Sequence, residues 1–508
     1  MTDRTAGRRT PTHYLTGDGQ RVPPRRRGLA GRLLRLCVWL TCLGTLAGGT
    51  AVCGFLVYAQ RTPREWAPYL QRRALRHRPA IVETADLAAW WLDRADRMDV
   101  PSPPVFPMAI GASPDRSGVS EPGAGRLRKV SALQDLIDAV GTAMPGDVIE
   151  LRPGHYLLRG YSPIRMNRPG TAAAPITVRA ARLGDVTIES DTVQTFVVSA
   201  PFWRFENLHM KGICPDFSVC EHALHIVGGA TDLTIRNNWF EDYNAHLKIN
   251  AEEGLYPDRG RIEGNTFTDS MPRATRNPVT PIDMVTASNW HIGGNAIADF
   301  QRAGDEGGAT YGAFVKGAGE GNVLEGNLVI CEWKLHGDPR PHVGLSLGGG
   351  GTGPGLFRDG GRSGAEQIGG TIRNNVVAMC NDDGIYLNKA ARSSVEHNTL
   401  IDTAGIDARF VETSGTIAGN LVDGAVRARD GAIVTMRWND APILLYLFIG
   451  LHPQRGYFRD PATLDLRWTT PPGRLSDADP GPDFCGMHRP GPARPGAFDD
   501  YTACLEEK

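Results

Sequence analysis

Eight times between residues 205 and 422 the chain repeats one short pattern: an apolar residue, two variable ones, an asparagine, a variable one and a second apolar residue. The asparagines are Asn207, Asn238, Asn265, Asn295, Asn327, Asn375, Asn398 and Asn420, mostly 22 to 32 residues apart. A motif at a nearly fixed period of this size is the signature of a solenoid, in which each repeat buries its apolar face only against its neighbours. The segments around the motif are short, rich in β-branched residues and punctuated by glycine, so the repeating unit is built of strands. Asparagine suits the bend between two strands because it tolerates left-handed backbone, and its amide can bond to the next asparagine in the stack. The one long gap, from Asn327 to Asn375, holds the glycine-rich insertion "GGGGTGPGLFRDGGRSGAEQ".

Several other features bound the organisation. Residues 1–35 form a basic N-terminal segment with nine arginines. Residues 36–59, "LCVWLTCLGTLAGGTAVCGFLVYA", run without a charge for 24 residues, long enough to span a bilayer. With the arginines before it, this is expected to be a signal-anchor, with a cytoplasmic N-terminus and an extracytoplasmic remainder. Val57 and Ala59 would also suit signal peptidase, which leaves cleavage and secretion as the alternative. Residues 60–125 are expected to be a linker carrying a short helix, 126–440 the solenoid, and 441–508 an extension packed on it. Six cysteines lie beyond the apolar segment, an even number that fits disulfides in an oxidising compartment. Cys331 and Cys380 fall four and five positions after Asn327 and Asn375, so they are expected to stack on consecutive coils. The formal net charge of −1 gives no reason to expect a nucleic-acid partner, and the chain is expected to be monomeric.

These motifs resemble the right-handed parallel β-helix of pectate lyases, chondroitinase B and the related alginate lyases, over residues 126 to about 440. The opening "GDVIELRPGHY" followed by "PITVRAA" is similar to the first coil of the chondroitinase-B-like group. The tail "DFCGMHRPGPARPGAFDD" is similar to the ending of many extracellular β-helix carbohydrate enzymes. The resemblance implies the fold and an acidic polysaccharide as partner. The group's glutamate-containing calcium motif is not found on the expected coil, so neither its metal nor its mechanism is carried over. No cofactor is read from the sequence, and calcium stays open.

After each bend comes a loop and then a strand in which the second and fourth positions are apolar, so the third and fifth face outward. Aligned in this way, one outward column reads His225, His246, Asp283, Phe314, Ser346, Tyr386, Asp407 and Arg427. The parallel column reads Val227, Lys248, Val285, Lys316, Gly348, Asn388, Arg409 and Arg429. The loops before these strands lengthen after Asn265, Asn295 and Asn327, which would wall one side of a basic trough. A lyase or epimerase acting on a uronate must neutralise the carboxylate and withdraw the proton beside it. Arg409 or Arg429 would serve the first need, and Lys248, Lys316 or His246 the second, while Tyr386 would return a proton. His225, Asp283, Asn388, Asp407, Arg427 and Arg429 would bind substrate. Asp382 and Asp383 precede a strand where turn residues are expected, yet Asp383 and Asp407 fall on adjacent coils and could serve a glycoside hydrolase. A surface protein that binds glycan without turning it over is the non-enzymatic alternative.

Overall fold

In the computed structural model the described residues are 29–505 except 101–102, 105, 108–109, 117–124, 161, 304–307, 475–480 and 490. Most of the basic N-terminal segment lies outside them. The chain divides into two compact units, 1–59 and 60–508. In the first, helix α1 (Leu29–Ala59) contains the segment expected to span a bilayer. Among the described residues no helix is long and apolar enough to cross a membrane, and side chains at 29–37, 46–47, 52–53 and 56–57 of α1 lie outside them. The expectation of a membrane anchor is therefore without structural support.

The second unit is a parallel β-helix. Each full coil contributes one strand to each of three parallel sheets of 12, 10 and 10 strands. One coil shows the plan: Arg261–Glu263 in the first sheet, Thr266–Thr268 in the second and Ile282–Val285 in the third. Alternation turns Ile262, Phe267, Ile282 and Met284 inward, where all four are fully buried. Each such side chain contributes about 1.5–3 kcal/mol. Helix α4 (Leu133–Gly141) packs against the first coils, with Leu136, Ala139 and Val140 buried. The tail packs Phe458, Leu466, Phe484 and Phe498 against Ala296, Leu328, Val376 and Leu421 on the outside of the second sheet.

The asparagine ladder forms the corner between the first and second sheets. It runs without a break from Asn238 through Asn265, Asn295, Asn327, Asn375, Asn398 and Asn420 to Asn439. Each Nδ2 donates to the next Oδ1 at 2.8–3.0 Å. Two details differ from the sequence reading. Asn207 is outside the ladder: it pairs sideways with Asn237, one position early, while Leu208 occupies the ladder slot and donates its N–H to Asn238. The left-handed residue is the one before each ladder asparagine: Asn237, Gly264, Gly294, Gly326, Asn374, His397, Gly419 and Trp438, with φ between 51° and 65°.

Residues 60–97 are not a linker. Helices α2 (Pro63–Ala74) and α3 (Pro79–Asp96) form a hairpin inside the second unit. The hairpin is fixed by Arg64, which is fully enclosed and donates to Asp96 at 2.9 Å, Asp402 at 2.7 Å and the Cys380 carbonyl at 2.8 Å. Disulfides join Cys214–Cys220, Cys331–Cys380 and Cys485–Cys504. The second has Cα atoms 4.9 Å apart, so the register counted across the glycine-rich insertion holds.

Candidate functional site

The third sheet carries the outward residues, and its register corrects the expected columns on one coil. Lys248 pairs with His225 and Asp283, and Asn250 with Val227 and Val285. The first column is therefore His225, Lys248, Asp283, Phe314, Ser346, Tyr386, Asp407 and Arg427. His246 is not on this face. It precedes the strand, is 0% exposed, and lies 3.4 Å from Asp269 among Tyr243 and Phe267, so it cannot meet a polymer on the outside.

Nor is the trough continuous. Phe314 is 4% exposed and Ser346 0%, because the chain after the Leu347 strand end folds back over them. Gly348 has φ +78°, and a Cβ there would lie 1.9 Å from the Asn388 carbonyl, so only glycine allows this return. The glycine run follows the strand His342–Leu347, whereas loop 331–341 precedes it, so the two lie at opposite ends of that strand. The run holds Lys316, whose Nζ sits 3.3 Å from the Gly350 carbonyl and 4.4 Å from the Phe314 ring, and burial lowers the Lys316 pKa. On the N-terminal side of this cover, Lys248 is paired with Asp283 at 2.8 Å and His225 with Asn250 at 2.9 Å. Asn388 faces the glycine run from below and is buried.

On the C-terminal side lies a cleft of about 430 Å³. The strands and their leading turns supply Tyr311, Asp382, Asp383, Tyr386, Asp407, Arg409 and Arg429. Loop 331–341 supplies Gly337 to Pro339 and Pro341, and the hairpin supplies Arg61, Glu65, Arg72 and Arg97. Beneath it, Arg427 is buried and bonds Glu65 at 2.5 Å and Asp383 at 2.7 Å, with Asp407 at 3.6 Å. Asp407 is held in turn by Arg429 at 2.5 Å. Asp383 and Asp407 do lie on adjacent coils, but both are committed to guanidinium groups, as expected of charges placed out of water.

Asp382 is different. It is half-buried and, among the described residues, forms no ion pair. Loss of water and the nearby Glu65 charge push its carboxyl up to about 6, against the pull of Arg427. Burial likewise pushes the Tyr386 hydroxyl up to about 12, so it is protonated at neutral pH, although the charge of Arg409 opposes the shift. Arg409 is further paired with Asp430. Of the five residues expected to carry the chemistry, the cleft unites Tyr386 and Arg409, leaves Lys248 and Lys316 beyond the glycine cover, and excludes His246. It adds Asp382 from the alternative pair. The hairpin residues Arg61, Glu65 and Arg97 were missed, because a helix in an apparent linker gives no sign of where it docks. The local signal was "TPREW", in which Thr62 and Glu65 cap the start of α2 through a 2.8 Å hydrogen bond.

Among the described residues no group of His, Cys, Asp and Glu could hold a metal ion, so calcium gains no support. No protein-family model and no curated protein matches the chain. Solved structures with similarity include the pectate lyase Pel9A, at 14% identity and a TM-score of 0.48, covering 74% of this chain and 97% of that one. A rhamnogalacturonan lyase aligns at 13% identity and 0.42, covering 62% and 87%. The A-module of the Azotobacter vinelandii mannuronan C-5 epimerase AlgE6 aligns at 11% and 0.38, covering 61% and 91%. At this level of similarity the chemistry is decided by the residues of the cleft.

Proposed function

We propose that the protein acts on a uronate-containing polysaccharide by β-elimination in this cleft. The observation that carries the proposal is one cleft lined together by Asp382, a carboxyl with no ion pair among the described residues, the Tyr386 phenol, and the guanidinium groups of Arg409 and Arg429. Ionised Asp382 takes the proton α to the uronate carboxylate. The released electron pair forms the carbon–carbon double bond as the bond to the neighbouring sugar oxygen breaks, and Tyr386 protonates that oxygen. Arg409 and Arg429 face the substrate carboxylate and stabilise charge that builds on it. In epimerisation the proton would instead return to the opposite face, a reaction the same groups could serve. The six paired cysteines of this unit favour an oxidising, extracytoplasmic location.

The test is ultraviolet absorbance of the unsaturated product, with alginate, chondroitin, pectate and hyaluronan offered in turn. Asp382→Asn and Tyr386→Phe should each lower turnover by about 10²-fold or more. For the wild type, kcat/KM should rise as the pH passes through about 6, where Asp382 ionises, and Asp382→Asn should lack that rise. A saturated product would establish hydrolysis instead, and binding without product would establish a glycan-binding protein.

A further inference from the structure

A polymer gripped along its middle needs a groove open at both ends, and the first outward column of this sheet is covered on either side of the cleft. Towards the N-terminal coils it is stopped by Phe314 and Ser346. The backbone of Gly349 lies over Phe314 and Lys316 so closely that a Cβ there would meet Lys316 Cδ at 3.4 Å and Phe314 Cγ at 3.6 Å. Tyr311, which lines the cleft, stacks edge-on against Phe314 with ring centroids 5.4 Å apart and completes this end wall. Towards the C-terminal coils the column ends at Arg427, on the last strand of the sheet, which is 4% exposed. The start of the hairpin lies across it: the Gln60 carbonyl accepts from Arg427 at 2.6 Å and Glu65 pairs with the same guanidinium. Loop 331–341 and the two helices form the remaining sides. What is left is a pocket near the small end of the roughly 300–1,000 Å³ that ligand sites occupy.

We infer that the cleft takes the end of an acidic sugar chain rather than an internal stretch, with Phe314 and the Gln60–Glu65 segment as the elements that set this mode. The inference rests on the proposed reaction and concerns only which bond of the polymer is reached. The uronate at the reducing end, the terminal residue whose C4 oxygen carries the rest of the chain, enters with its carboxylate toward Arg409 and Arg429, and the remaining polymer extends out through the mouth of the cleft.

The experiment follows an acidic polysaccharide simultaneously by viscosity and by absorbance of the new double bond, and sizes the products. Cleavage at chain ends releases only the smallest unsaturated products from the first minutes, and viscosity falls no faster than absorbance rises. Early products of intermediate length with a steep loss of viscosity would overturn the inference while leaving the reaction intact. Phe314→Ala, folded by its melting profile, should open one end wall and add internal products. If that variant folds, turns over and still releases only terminal products, Phe314 is not a determinant and that assignment falls. Absence of both turnover and binding with every polymer would reject the proposed function, and the chain-end mode with it.

Discussion

Asn327 shows how much one side chain does in this fold. Its Oδ1 accepts from the backbone N–H and the amide of Asn295, at 3.1 and 2.9 Å, and its own amide donates to Asn375 and to the Ile292 carbonyl. Asn327→Ala strips a buried N–H of its acceptor, which costs about 1–3 kcal/mol. A denaturant melt should show that loss without a change in the slope that reports exposed surface. The ladder could be read from sequence because the motif fixes its own spacing. Asn207 misled because its coil has a single asparagine, set one place early. The last rung, Asn439, was passed over although it fits the pattern, with Met436 three residues before it and Ala441 two after. His246 escaped for a more general reason. A one-residue slip reverses inside and outside, but a two-residue slip preserves the alternation, so hydrophobic pattern could not distinguish His246 from Lys248 as the residue beside His225. Asp382 and Asp383 are indistinguishable as letters; only the burial of Arg427 beneath them decides which is bound and which is free to titrate.

At the scale of elements, the cleft depends on two pieces that are not coils: the hairpin and loop 331–341. The hairpin is pinned by the enclosed Arg64, and removing one partner of a buried charge cluster costs about 3–5 kcal/mol because the others are left uncompensated. Arg64→Ala should therefore expose residues 60–97 to hydrogen exchange, while the central coils, held by their ladders, stay protected. The loop is pinned by His342, which lies fully buried between Glu332 at 3.3 Å and Asp338 at 3.1 Å. Burial alone would lower the His342 pKa, but its bonds to Asp338 and Glu332 outweigh this and hold it above its ordinary 6.5. A histidine raised in the folded state contributes stability that is complete below 6.5 and is lost as the pH climbs through the raised value. Melting temperature should thus decline as the pH rises above 6.5, and His342→Gln should flatten that decline. None of this was legible in sequence, since a histidine at a strand start reads the same whether it is clamped or exposed.

At the scale of the whole molecule, the Cys331–Cys380 bridge ties loop 331–341 to the face that carries the cleft. Cys331 begins the loop that walls the cleft, and Cys380 precedes Asp382 by two residues while its carbonyl accepts from Arg64. One bond therefore joins the loop, the hairpin anchor and the turn that carries the proposed base. The coils on either side are also held by the asparagine ladder and by fully buried aliphatic residues, neither of which depends on sulfur. The two kinds of restraint should separate under reduction. A bridge of this kind contributes about 2–4 kcal/mol, through a loop of 49 residues. Cys331→Ser combined with Cys380→Ser should lower global stability by no more than that amount. Its effect on the cleft should be larger, because positions within a reaction centre tolerate displacements of only about 0.5 Å. The expected result is a cooperative melt at a modestly lower temperature, with turnover reduced at least tenfold and hydrogen exchange raised at 331–341 and 380–383. Turnover unchanged in a protein melting several degrees lower would show that the bridge serves the solenoid alone. The Cys214–Cys220 pair, which closes a separation of only 6 residues among the earlier coils, supplies the control: its removal should leave the cleft's chemistry untouched.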